Sequence, residues 1–313
     1  MADRLPSRIE VAELLRSGYG LELHGAPSLL EGGEDNLNVK VVTDRGTFVL
    51  RRYDLWLHGR ARTELQFVDA LADAGFPTPA PVRRTSRALL GTWEGRPIAL
   101  FPFVPGRTQR TYDVRLAATI GSLLGKLHVL TGQLDLKLRR ENHVAELGRV
   151  LEGRPRRKLA ATGRWLKTVA TFLEQQGATL RRAWRELPKG ALHHDLHRKN
   201  LLIDGRTSAV TVLDFGEACW APYAIDLARS FHSIAAEAPG RRLPASLRDA
   251  LLEAYQKQRR LSAAELDSLP VIFDLMNLID AARFLSSPPP EIKSTEECHS
   301  LSTYHANRSD KSV

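Results

Sequence analysis

The stretch GALHHDLHRKNLLIDGRTSAVTVLDFG, residues 190–216, constrains the fold of this chain more than any other part of it. Two short apolar runs, LLID and VTVLDF, flank the turn-forming GRTS, and a β-hairpin is expected there. Polar residues crowd its two ends. Asp195 and Asn200 stand at the spacing D-x-x-x-x-N before the hairpin, and Asp214 opens D-F-G after it. Each triplet alone arises by chance in many chains. Both in order, joined by a hairpin, read as one device that gathers oxygen atoms.

Composition removes several classes of function. The chain has 313 residues, enough for a sizeable core and for two lobes. No run of about 18 apolar residues occurs, so no membrane span is expected. The opening MADRLPSRIEVAELL reads as an amphipathic helix and not as a signal peptide. Cys219 and Cys298 lie far apart without metal-ligand spacing; two reduced thiols of a cytoplasmic protein are the expectation. The net charge of +9 arises mostly in 137–190, an Arg-rich stretch of helical pattern. Such a face can meet nucleic acid or an anionic membrane. No groove-reading or RNA-binding motif accompanies it, so a solvated helix surface is expected, without a nucleic-acid partner.

The first third mixes strands and helices. NLNVKVVT and TFVLRRY, separated by DRG, predict a hairpin over 38–53. A helix is expected over 59–75, stopped by Gly75 and Pro77, and a last strand over 93–106. From 111 onward the pattern is mainly helical, with helices expected over 158–186, 224–236, 245–258 and 263–285. Residues 286–313 read as a poorly ordered tail. The expected organisation is an α+β chain of two lobes, 1–103 and 104–285, before that tail.

Phosphoryl transfer is largely a matter of positioning and of stabilising charge, and it needs few residues. Magnesium takes hard oxygen ligands, which an asparagine carbonyl and an aspartate supply. His193 to Asn200 followed by Asp214-Phe215-Gly216 matches the catalytic loop and metal-binding motif of kinases. Over about 25–285 the chain resembles the aminoglycoside phosphotransferase/choline kinase superfamily, the small-molecule cousins of protein kinases. HHDLHRKNLLID, VLDFGEACWAPYAIDLARS and EGGEDNLNVKVVTDRGTFVLRRY carry the resemblance.

The resemblance implies a protein-kinase-like fold, with a small antiparallel-sheet N-lobe that binds nucleotide and a larger, mainly helical C-lobe. It implies ATP and Mg²⁺ as cofactors. Asp195 would be the catalytic carboxylate, and Asn200 and Asp214 would ligate the metal. His193 would brace the loop. Asp226 would accept backbone N–H bonds from that loop, or else serve as a charge at a helix N-terminus. The family usually carries glycine where His194 stands. His197 has no partner spacing that would make it a metal ligand.

On the nucleotide side a strand cation must grip phosphates and a helical glutamate must hold it. Arg51, at the end of FVLR, takes the usual lysine's place, with Lys40 as the lesser candidate. Glu64 shares a helix face with Phe67, Val68 and Leu71 and therefore wants a partner, which Arg51 can be; the alternative is a boundary glutamate reaching water. Asn38 matches an asparagine frequent in the family's first hairpin. Gly32 and Gly33, in a run that is no G-x-G-x-x-G, permit a tight turn near phosphates; the alternative is an ordinary loop. Backbone N–H of Phe101 or Phe103 would read the base, since Pro102 has none.

The expected acceptor is a small-molecule hydroxyl. GRPIALFPFVPG, the Ala218-Cys219 pair and EAYQKQRRLSAAELDSLP are most similar to type II homoserine kinases, so homoserine or a similar amino alcohol is the first expectation. An aminoglycoside stays open, because Glu217, Asp274 and Asp280 lie in the acidic part of the chain. A non-catalytic nucleotide-binding pseudokinase stays open through Arg51. A protein acceptor is not expected: no long activation segment follows D-F-G.

Overall fold

Ser7 and Glu10 cap each other's backbone N–H and start the first helix of the computed structural model, α1 (Arg8–Tyr19), which Gly20 ends at φ +64°. The structure describes residues 6–30, 36–54, 58–152, 162–286 and 299–308. Gly32, Gly33, Cys298 and the first part of the expected tail lie outside the described residues. After α1 the chain runs through β1 (Leu23–Leu29), β2 (Asn36–Thr43), β3 (Gly46–Tyr53), α2 (His58–Asp73), β4 (Gly91–Trp93) and β5 (Arg96–Pro102). Then come α3 (Val114–Thr131), α4 (His143–Glu152), α5 (Thr162–Glu186), β6 (Lys189–Leu192), β7 (Leu201–Ile203), β8 (Val210–Val212) and β9 (Cys219–Pro222). The last helices are α6 (Ala224–Glu237), α7 (Ala245–Gln256), α8 (Ala263–Ser286) and α9 (His299–Arg308). No helix among the described residues is long and apolar enough to cross a membrane.

Contacts divide the chain into two compact units: Met1–Thr108 with Lys199–Gly216, and Gln109–Arg198 with Glu217–Val313. The first unit therefore ends beyond the expected boundary at 103, and it also takes the 201–212 hairpin, which the sequence assigned to the helical part. The reason is backbone pairing. Arg107 and Ile203 exchange N–H···O bonds of 3.0 Å, and Val212 N–H donates to Pro77 O at 2.7 Å.

In the first unit the five strands form an antiparallel sheet of order β1-β2-β3-β5-β4. Thr43 pairs with Gly46 across the two-residue turn Asp44-Arg45, as DRG foretold. Alternation sends Val39, Val41, Leu50, Ile98 and Leu100 to one face, where they meet Val11, Leu15 and Tyr19 of α1. The other face carries Asn38, Arg51 and Ala99, in register across three strands. α2 stops where expected: Gly75 takes φ +78°, and Phe76 N–H turns back to Leu71 O. The single strand expected over 93–106 is instead a hairpin, β4–β5, because Glu94 and Gly95 both adopt left-handed φ and reverse the chain.

In the second unit Asp113 caps α3 by accepting from Leu116 N–H at 2.7 Å. α3 packs on α7 closely enough that a Cβ on Gly121 would lie 2.0 Å from Leu251 O. β6 and β9 pair antiparallel, Leu192 against Cys219. Residues 299–308 correct the expectation of a disordered tail. They form α9, whose buried Tyr304 meets Phe172 edge-on at 6.2 Å, while Asn307 Oδ1 accepts from Leu243 N–H. One aromatic and one amide anchor this segment, too little apolar content for composition to reveal.

Candidate active site

Arg51 is the centre of the first unit's polar cluster. Because β2 and β3 pair Asn38 with Arg51, the two side chains share a face, and Arg51 Nε donates to Asn38 Oδ1 at 3.1 Å. Its Nη1 lies 3.2 Å from Glu64 Oε1 on α2. Glu64 is only 6% exposed, so it does not reach water. The guanidinium also lies over the Phe101 ring at 5.4 Å. Lys40 Nζ sits over the Phe103 ring at 4.3 Å. Burial works to lower the proton affinity of Arg51, but Tyr53, Glu64 and Asp214 outweigh it and keep the cation charged. Burial, together with the negative charge of Asp214 and against the pull of Arg51, pushes Glu64 up to about 7.

The 201–212 hairpin brings the metal candidates to its open end. Leu201 pairs with Val212, and Leu213 N–H donates to Asn200 O at 2.9 Å. Asp214 follows at φ +62°, a left-handed conformation that turns the chain sharply. Phe215 then plugs inward, edge-on to Phe67 of α2 at 5.5 Å and to Phe76 at 6.4 Å. Asp214 is exposed while Phe215 is buried, so the apolar residue anchors what the carboxylate presents.

Phe101 and Phe103 do not offer the backbone donors expected of them. Phe103 N–H donates to Thr47 O at 2.9 Å, and Leu100 O faces the opposite edge, accepting from Val82 N–H. Successive strand residues point to opposite edges. Phe101 and Phe103 therefore both turn toward β3, and the other edge belongs to Pro102 O and the residue after Phe103. Sequence alone gave no way to tell the two edges apart.

The second unit holds Asp195. Asp226, buried in the first turn of α6, accepts His193 N–H at 3.0 Å and His194 N–H at 2.6 Å. It also meets His128 Nε2 at 3.0 Å. His193 Nδ1 accepts Asp195 N–H at 3.2 Å, closing a local turn. His194 takes φ +69°, which explains why a residue without Cβ suits that position. Its ring stacks on His143 of α4, Nε2 to Nε2 at 2.9 Å. Asp195 lies between a guanidinium and an imidazole, with Arg229 Nη2 3.4 Å from Oδ1 and His197 Nε2 3.4 Å from Oδ2. Burial would raise the Asp195 carboxyl, but the hydrogen bond from His197 and the charge of Arg229 hold it below the usual carboxylate range.

A family model described as the phosphotransferase enzyme family matches residues 28–266. The chain belongs to that family. This phosphotransferase is 33% identical over 248 residues to a homoserine kinase of Parvibaculum lavamentivorans (strain DS-1), covering 77% of this chain and 74% of the relative. A homoserine kinase of Nitrobacter winogradskyi is 33% identical over 296 residues, 89% of this chain and 85% of the relative. Among solved structures, the microcompartment-associated aminopropanol kinase superposes with TM-score 0.70 at 18% identity, covering 95% of both chains. Amicoumacin kinase hAmiN in complex with AMP-PNP, Ca²⁺ and Ami gives TM-score 0.70 at 15% identity over 96% of this chain and 92% of that one. The phosphotransferase shares their kinase-like fold: a small antiparallel sheet in one part and a mainly helical remainder.

The sequence-derived residues thus fall into two clusters, Asn38, Arg51, Glu64, Asn200 and Asp214 in one unit and His193, Asp195 and Asp226 in the other. Arg229 and His232 were missed, and Asp280 was named only as part of an acidic region. Arg229 had one signal: a cation three residues after Asp226, at helical spacing from it.

Proposed function

We propose that this phosphotransferase is an ATP- and Mg²⁺-dependent kinase that moves a γ-phosphate to the hydroxyl of a small metabolite, homoserine or a similar amino alcohol. The Arg51–Glu64 pair beside Asp214 carries the reading on the nucleotide side. The donor chemistry fits the metal: Asn200 offers an amide oxygen and Asp214 a carboxylate, both hard ligands. Bound Mg²⁺ supplies charge neutralisation for the transferring phosphate. Arg51, kept charged and braced by Asn38 and Glu64, is the phosphate grip; its fork is fixed in direction as a lysine would not be. Pro102 O and Val104 N–H take over the base contact once assigned to Phe101 and Phe103.

Asp195 is the residue that meets the acceptor hydroxyl. A carboxylate held low by His197 and Arg229 is a weak proton acceptor, so it orients the hydroxyl by hydrogen bonding more than it removes the proton. His193 and Asp226 keep the loop stiff. The relatives named homoserine kinase support the acceptor. The buried thiol of Cys219 suits a reducing cytoplasm, where ATP is found. The test is incubation with ATP, Mg²⁺ and a panel of hydroxyl compounds. Saturable turnover of homoserine is expected; turnover of a kanamycin-like compound without homoserine would replace the acceptor.

A further inference from the structure

We infer that Asp280 is a positioning residue: it draws the Arg229 guanidinium off Asp195, so that the acceptor hydroxyl, and not the guanidinium, makes the closest contact with the catalytic carboxylate. The inference rests on the kinase reading above. Helical spacing puts Arg229 and His232 on one face of α6, and Asn277 and Asp280 on one face of α8. A continuous polar chain follows. Asn277 Nδ2 donates to Phe273 O at 2.9 Å, which turns its Oδ1 to His232 Nδ1 at 2.6 Å. His232 Nε2 lies 2.9 Å from Asp280 Oδ2. Asp280 Oδ1 takes Arg229 Nη1 at 2.5 Å. Arg229 Nε donates to His194 O at 3.1 Å, and its Nη2 reaches Asp195 Oδ1 only at 3.4 Å.

Two carboxylates thus compete for one largely buried guanidinium, and Asp280 has the closer contact. A buried cation must be paired. With Asp280 neutral, Asp195 becomes the nearest carboxylate to Arg229. The fork then closes on it, since bidentate pairing with a carboxylate is the arrangement a guanidinium favours. That closure occupies the oxygen the hydroxyl needs.

The experiment compares Asp280→Asn with wild type. A small displacement at a reacting group costs about 10²-fold in kcat, and that loss is expected here with the KM for ATP unchanged. Asp280→Glu should restore most of it. The double variant D280N/R229Q should turn over faster than D280N alone, because the closing cation is gone; a merely structural Asp280 would make the double variant the worse of the two. Crystal structures of D280N, and of D280S should D280N not fold, read the same geometry without any turnover. An Arg229–Asp195 contact shorter than the wild type's is expected. Normal kcat in D280N, or an unshortened contact in these structures, overturns the inference. A wild-type protein that phosphorylates nothing on the panel overturns the kinase reading instead, and the structures still decide this point.

Discussion

Asp195 is the residue on which the proposed chemistry turns, and its surroundings are over-determined. Asp226 fixes the two preceding amides, His193 fixes its own amide, and His197 and Arg229 flank its two oxygens. Preorganisation of that kind is where a positioning enzyme gains rate. Asp195→Ala should therefore lower kcat by several orders of magnitude, while calorimetry finds ATP affinity nearly unchanged, since Arg51, Glu64 and Asp214 belong to the other unit. Near-normal turnover in the variant would remove Asp195 from its role. His128, which braces Asp226 from behind, carries a pH signature. Burial lowers its proton affinity, against the pull of Asp226. The unfolded chain, with its imidazole near 6.5, takes up the proton first as pH falls. Stability is then lost below about pH 6.5 and retained above it. Wild type should lose more melting temperature than His128→Asn between neutral and mildly acidic pH; parallel losses would contradict this.

At the scale of elements, close approach matters more than propensity. Glycine in a helix interior normally costs about 1 kcal/mol against alanine. At Gly121 the sign reverses, because the added methyl would meet the backbone of α7. Gly121→Ala should lower stability by about 1–3 kcal/mol, read by urea denaturation, as overpacking does; an unchanged or higher midpoint would show that α3 and α7 can part. The same contrast explains what the sequence could reveal. DRG announced its hairpin because turn chemistry is local. Gly75 and the helical patterns of α3, α6 and α7 announced their helices for the same reason. The β6–β9 pairing was illegible, since KGAL and CWAP are too short to alternate and stand far apart in the chain. Asp280 was assigned only to an acidic region, because nothing local links it to Arg229, 51 residues away. Helix-face reasoning showed that Glu64 wanted a partner, while Arg51 as that partner, like Asp226's hold on the loop, was an expectation drawn from the kinase pattern.

At the scale of the whole molecule, chain order and spatial grouping diverge. Lys199–Gly216 leaves the helical unit to join the sheet, so Asn200 and Asp214 share a unit with Arg51 and Glu64, and Asp195 does not. The chain passes from one unit to the other between Asp195 and Asn200, at Arg198–Lys199, one of three such crossings. The net charge of +9 brings no nucleic-acid motif with it, and a titration against random duplex at rising salt should show only weak binding; tight binding with a steep salt slope would call for a second function. The most direct measurement is ³¹P NMR of the purified protein with homoserine, ATP and Mg²⁺. A new phosphomonoester signal should grow in step with ADP and vanish in Asp195→Ala. Persistence of ATP without any phosphorylated homoserine or amino alcohol, or equal turnover by the Asp195 variant, would contradict the assignment.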